Sequence, residues 1–293
     1  MAIPITKGRV ETAKKVVIYG PEGIGKSTLA SKFPDPIFID TEGSTKELDV
    51  ARYPAPQEWN DIITQVEDTA AERPCSTIVI DTADWAEALC IDQTCKDLNV
   101  KGIESVGYGK GYVYATEKFQ QLLRACDKCI EAGINVVFTA HAQMRKFEQP
   151  DEMGAYDRWE MKLTKKTAPM LKEWADMVLF CNYKTEVLTD STTKSKKATG
   201  GKRVIYTTHH PCWDAKNRYS LPDQLDMSFD GIAHLFTNIK PKEKEIDYRL
   251  KLREFLSDKT QEQKVEVIMK YGINSTTTNE KYKAIYTELT GGN

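Results

Sequence analysis

Short β-branched runs alternate along the chain with stretches whose apolar residues recur every three or four positions. The first run, Val16-Val17-Ile18-Tyr19, is stopped by Gly20-Pro21 and reads as a buried strand entering a loop. A helix is expected from about Lys26, and Pro34-Asp35-Pro36 ends it. Ile37-Phe38-Ile39 forms a second strand finishing at Asp40-Thr41-Glu42-Gly43. Trp59, Ile62, Ile63 and Val66 then recur at helical spacing, and Thr77-Ile78-Val79-Ile80 gives a third strand ending at Asp81. The order is βαβαβ.

Two more helical patterns follow, around Trp85 to Leu98 and around Ala115 to Ile130, the second with Phe119, Leu122, Leu123 and Cys126 on one face. A glycine-aromatic loop, Gly107-Tyr108-Gly109-Lys110-Gly111-Tyr112, separates them. A fourth strand over Asn135 to Thr139 leads into a polar stretch from His141 to Lys166. A fifth, Met177 to Phe180, is followed by hairpin-like segments. Strands alternating with helices imply an α/β fold with a mostly parallel sheet covered on both faces. After Pro241 mixed charges surround Ile246, Leu250, Leu252, Phe255, Val265 and Ile268 at helical intervals. The expected organisation is a core over 1–238 and a small helical appendage over 239–293, with the tail from Leu289 to Asn293 frayed. Thr192 to Lys202 is the one low-complexity stretch.

The 293 residues, 40% hydrophobic and 29% charged, suit a globular chain with a core. Lys and Arg number 41 against 43 Asp and Glu, a formal charge of -2, so any nucleic-acid surface must be a local patch. No run approaches the roughly 18 apolar residues of a membrane helix. The opening residues lack a signal peptide's apolar stretch, so a cytoplasmic setting without a membrane partner is expected. The seven cysteines are odd in number and scattered, which favours reduced thiols. Cys126 and Cys129 with Cys90 and Cys95 are the zinc alternative, against which stand the helical pattern around the first pair and the lack of flanking glycines.

Gly20-Pro21-Glu22-Gly23-Ile24-Gly25-Lys26-Ser27 fits G-x-x-x-x-G-K-[ST] without a mismatch, between a strand and a helix, with Thr28 completing the first turn. Such glycines let backbone N–H groups wrap around phosphates. Lys26 would neutralise the β- and γ-phosphates of ATP, and Ser27 would hold Mg²⁺ with Asp81 joining through water. The residue after Asp81 is Thr82 rather than a glutamate, so the carboxylate that activates water must come from elsewhere. Glu42 is the first candidate and Asp84 the reserve, with a solvated turn as the plain alternative for Glu42.

Phe38-Ile39-Asp40-Thr41-Glu42-Gly43, taken with the phosphate loop and the Asp81 strand, resembles the ATPase core of RecA-like recombinases. That resemblance covers about residues 10 to 236 and implies a RecA-like P-loop NTPase core in which Glu42 is the catalytic carboxylate. It also implies a polar γ-phosphate sensor at the end of the fourth strand, where His141 and Gln143 stand, although His141 is equally readable as a turn histidine. Asp214-Ala215-Lys216-Asn217-Arg218-Tyr219 is similar to the family's K-x-R segment, whose cations reach a neighbouring subunit's nucleotide; a solvated turn is the alternative. The compact organisation is most similar to phage RecA-like proteins proposed as single-strand annealing recombinases. The implied setting is the host cytoplasm, with single-stranded DNA, other copies in a ring or filament, and a single-strand binding protein as partners.

Three segments are candidates for DNA contact. Tyr108, Lys110 and Tyr112 interleave aromatics, a cation and glycines. Arg145, Lys146 and Arg158 follow the sensor strand, with Lys162, Lys165 and Lys166 beyond them. Lys194, Lys196, Lys197, Lys202 and Arg203 form a cluster with no acid inside it. Each has a plain counterpart in a tight connection or a solubilising edge. The expectation is an ATP-hydrolysing protein that binds single-stranded DNA and promotes annealing or recombination. A nucleotide-controlled scaffold and a motor or helicase-loader ATPase are the alternatives.

Overall fold

A computed structural model describes residues 5–148, 154–189, 196–237, 241 and 247–290, with backbone alone at 185–189 and 196–199. The apolar runs become the strands β1 (Lys15–Gly20), β2 (Pro36–Asp40), β3 (Ala51–Arg52), β4 (Thr77–Asp81), β5 (Asn135–Glu148), β6 (Ala155–Met161), β7 (Met177–Thr189), β8 (Lys196–Tyr206) and β9 (Gln224–Asp226). They form one mixed sheet in the order β3-β2-β4-β5-β1-β7-β8-β9, with β6 paired to the outer half of β5. The first six strands in that order run parallel, while β6, β8 and β9 add antiparallel edges.

Parallel strands buried on both faces read as continuous apolar runs, and the period of two splits each run between two cores. Val17, Tyr19, Ile80 and Phe138 face α2 (Trp59–Glu72), α3 (Ala83–Asp97) and α4 (Lys110–Glu131), packing with Trp59, Phe119 and Leu122. Val16, Ile18, Val79 and Leu179 face α1 (Lys26–Ala30), packing with Leu29, Phe33 and Phe236. Cys90, Cys126 and Cys129 are buried in the first core. Burial pushes the Cys90 and Cys129 thiols up to about 12, which keeps them protonated.

The expected polar stretch from His141 to Lys166 is largely a hairpin. β5 continues to Glu148 and pairs with β6 in a register that sets Gln143 opposite Glu160 and Arg145 opposite Arg158. Both hairpin faces carry charges and Met144 is exposed, so no apolar alternation advertises these strands. α4 begins at Lys110, which places Lys110, Gly111 and Tyr112 in its first turn rather than in a loop. α5 (Thr167–Trp174) then leads to β7.

The chain divides into units Met1–Lys242 and Glu243–Asn293. The expected boundary at 238/239 falls outside the described residues. The second unit holds α6 (Tyr248–Phe255), α7 (Gln261–Tyr271) and α8 (Asn279–Thr290) around Leu252, Tyr282 and Ile285. Leu289 and Thr290 continue α8 where fraying was expected. No described helix is long and apolar enough to cross a membrane.

Candidate nucleotide site

The strand order sets β5 between β1 and β4, so the end of β5 lies between the phosphate loop after β1 and Asp81 at the end of β4. Gly20 stands opposite His141, and a Cβ on Gly20 would overlap the Cys181 carbonyl of β7. Gly25 takes φ of 104° and N-caps α1 without a side-chain hydrogen bond. The amides of that first turn are therefore left to another acceptor, which suits a phosphate. Lys26 is 6% exposed, and its Nζ donates to the carbonyls of Gly20 at 3.1 Å and Pro21 at 3.0 Å. Burial lowers its pKa, with the Asp81 charge the largest opposing influence.

Asp81 is fully buried and accepts hydrogen bonds from the hydroxyls of Thr139, Ser44 (3.3 Å) and Ser27. Burial raises its pKa in spite of them. These donors are all oxygens, the set a hard cation such as Mg²⁺ prefers. Among the described residues no group of three or more His, Cys, Asp and Glu is placed to hold a metal. The Ser27 hydroxyl and Asp81 thus suit a cation that completes its shell with water and phosphate oxygens.

Asp40 folds the loop after β2 around itself. Its carboxylate accepts from the backbone of Gly43 (2.7 Å), Ser44 (3.2 Å) and Thr45 (3.0 Å) and from the Thr45 hydroxyl (2.6 Å). Burial alone would raise this carboxyl, but those bonds outweigh it and lower the pKa. The turn presents Glu42 to His141, with Oε2 to Nε2 at 3.8 Å. His141 Nδ1 lies 2.8 Å from Asp84 Oδ2, and its backbone N–H donates to Asp84 Oδ1 at 3.0 Å. The two candidate bases and one candidate sensor therefore form a single carboxylate–imidazole–carboxylate chain. Burial raises the Glu42 pKa, with the Asp81 and Asp84 charges adding and His141 and Lys26 opposing. Burial would also raise Asp84, but hydrogen bonds from His141 dominate and lower it. The two carboxylates at either end of this imidazole are thus pushed in opposite directions, Glu42 up and Asp84 down. Gln143 turns away, with Nε2 donating to the Met161 carbonyl at 3.1 Å.

A family model described as an AAA domain matches residues 12–219, from before β1 to just past Arg218. The chain belongs to the AAA domain family. It is a P-loop ATPase by that membership and by the loop itself. No curated protein matches it. Among solved structures, the KaiC-like protein PH0186 from the hyperthermophilic archaeon Pyrococcus horikoshii OT3 is similar with a TM-score of 0.35 and 12% identity, covering 66% of this chain and 77% of that one.

Within the AAA domain, Lys216 and Arg218 sit by the starting ends of β1 and β7, away from the phosphate loop. Lys216 Nζ donates to the carbonyls of Lys172 (3.1 Å), Glu173 (3.2 Å) and Ala175 (2.6 Å) at the end of α5. Arg218 pairs with Asp176 at 3.3 Å, and Asp176 also accepts from the backbone of Lys15 at the start of β1. The six residues of β1, rising about 3.3 Å each, separate that end from the phosphate loop.

The DNA candidates separate in the AAA domain. Tyr108 is fully exposed beside exposed Lys110, whereas the Tyr112 hydroxyl donates to Glu104 at 2.5 Å. Arg145, Lys146, Arg158, Lys165 and Lys172, together with the acids Glu160 and Asp214, line a cavity of about 510 Å³ between the β5–β6 hairpin and α5, and Asp214 pairs with Lys172 at 3.1 Å. Arg158 is 7% exposed and also pairs with Asp214, at 2.5 Å, yet its Nε has no hydrogen-bond partner among the described residues. Lys202 pairs with Asp226 at 2.7 Å. Arg203, grouped by sequence with a DNA patch, instead lies against the phosphate loop, donating to the Ile24 carbonyl at 3.3 Å. Lys194 and the side chains of Lys196 and Lys197 lie outside the described residues. Sequence reasoning gave no role to Asp40, Ser44 or Thr139. An aspartate at a strand end before a Thr-Glu-Gly turn is the signal that points to the first.

Proposed function

We propose that the protein is a Mg²⁺-dependent, RecA-like ATPase that binds single-stranded DNA in its ATP-bound state and promotes annealing or recombination. One observation carries the reading: a single strand, β5, runs from Thr139 on Asp81, through His141 beside Glu42, into the hairpin that lines the cationic cavity. Lys26 leaves the loop carbonyls for the β- and γ-phosphates. Glu42 takes the proton of the attacking water as the γ-phosphoryl passes to the water oxygen and ADP leaves. Asp84 fixes His141 so that its Nε2 faces Glu42. Ser27 would hold a magnesium ion, with Asp81 joining through water, and the ion would supply neutralisation of phosphate charge. Arg218 serves the nucleotide of a neighbouring copy.

Lys146 and Lys165, exposed at that cavity, take backbone phosphates, and Tyr108 supplies a face for base stacking. The test is ATP hydrolysis by the full chain with and without single-stranded DNA, with Lys26→Ala as the blank. Stimulation by DNA, together with faster pairing of complementary strands, is the expected result. Hydrolysis indifferent to DNA, with DNA binding that ignores ATP, overturns it in favour of the nucleotide-controlled scaffold. Duplex unwinding would instead identify a motor.

A further inference from the structure

We infer that Arg203 grips the α- and β-phosphates of the nucleotide held by its own chain, an inference that rests on the nucleotide reading above. β8 pairs with β7 so that Ile205 stands opposite Cys181, and Cys181 abuts Gly20 at the mouth of the loop. Side chains two apart on a strand share a face, and Ile205 packs in the core on α1's side of the sheet. Arg203, two residues earlier, therefore projects over the same face, one step nearer the loop. Its Nη1 reaches the Ile24 carbonyl at 3.3 Å and would lie 3.0 Å from a Cβ on Gly25. Met227 Cε would lie 4.0 Å from the same Cβ.

The partners of this guanidinium decide its role. Lys202 beside it is neutralised by Asp226, whereas Arg203 has no carboxylate among the described residues. Its one hydrogen bond among the described residues leaves most of its N–H fork unused there. Lys26 rests on the carbonyls of Gly20 and Pro21, so two cations occupy carbonyls of one loop whose amides already favour negative charge. An anion is the ligand that both can share in place of those carbonyls. Lys26 serves the β- and γ-phosphates, and the backbone beside Gly25 cradles the α- and β-phosphates. Arg203 thus acts within its own chain on the inner phosphates, where a fork can bind two oxygens at once.

The test is calorimetric binding of ADP and of ATP with Mg²⁺ to the full chain and to Arg203→Ala, Arg203→Gln and Arg203→Lys. Arg203→Ala is expected to weaken both nucleotides by the same factor, about tenfold. Arg203→Gln, which keeps a donor for the Ile24 carbonyl but no charge, behaves like the alanine variant, and Arg203→Lys falls between. Thermal unfolding without nucleotide and affinity for single-stranded DNA without nucleotide stay at wild-type values. Wild-type ADP affinity in Arg203→Ala overturns the inference, as does a loss confined to ATP or rescue by Arg203→Gln. Should the alanine variant not fold, the comparison of glutamine with lysine decides in the same way. Wild-type protein that binds neither nucleotide overturns the nucleotide reading itself.

Discussion

Asp81 sits fully buried at the end of β4, and burial holds its carboxyl above the ordinary range. A carboxyl raised in the folded state adds stability while it is protonated, below the unfolded value, and loses it as pH rises through the folded one. In the nucleotide-free protein the ionised group is therefore a cost to stability at pH 8. Asp81→Asn should raise thermal stability there by about 1 kcal/mol, with a gain that shrinks toward pH 4, while turnover disappears. Unfolding curves of both proteins at the two pH values check this; an asparagine variant less stable at pH 8 contradicts it. Glu42 is raised too, so the acid limb of the rate profile should lie above the ordinary glutamate range, and Glu42→Gln should keep ATP binding while losing roughly 10²–10⁴ in turnover. Asp40 acts one step removed, by folding the turn that presents Glu42. In Asp40→Asn an amide faces the Thr45 donors, and kcat should fall about tenfold with ATP affinity unchanged, as steady-state and binding measurements would show.

Among elements, α5 ends on a side chain from elsewhere in the chain. Lys216 collects three carbonyls that the helix leaves unpaired, so Lys216→Met should destabilise by about 1–3 kcal/mol in denaturant unfolding without weakening ATP binding. That bonding explains why K-x-R is ambiguous in the sequence: a lysine capping a helix and a lysine reaching another subunit share one spelling. β1, β2, β4 and the first half of β5 were legible because burial on both faces demands unbroken apolar runs. The outer half of β5 and β6 were not, because charged side chains such as Arg145 and Glu160, 3.9 Å apart across the pair, leave no apolar face to read. The phosphate loop was legible as a motif, and Glu42, Asp84 and His141 were each legible as candidates. Their joining needed the strand order, since Glu42 follows β2, Asp84 opens α3 and His141 lies on β5. The place of Arg203 beside the phosphate loop was not legible, because charge clustering along a strand says nothing about which residue of the cluster turns toward the next loop.

At the scale of the whole molecule, the near-neutral balance of charge conceals a concentration of cations around one cavity beside the β5–β6 hairpin. The two units also differ in what they bury. Glu243–Asn293 rests on Leu252, Tyr282 and Ile285, a core small enough to be marginal alone, whereas Met1–Lys242 contains both apolar layers and every residue of the nucleotide site. A protein ending at Lys242 should fold cooperatively and bind ATP with unchanged affinity; loss of binding on that truncation would contradict the assignment. The separation of Arg218 from Lys26 along β1 has a consequence for mixtures. If each arginine serves the loop of the next chain, Lys26→Ala and Arg218→Ala are damaged on opposite sides of a junction. Pooling the two inactive proteins brings an intact loop against an intact arginine wherever they meet in one order. Activity should then reappear in a blend of components that have none, and only at concentrations where the chains associate.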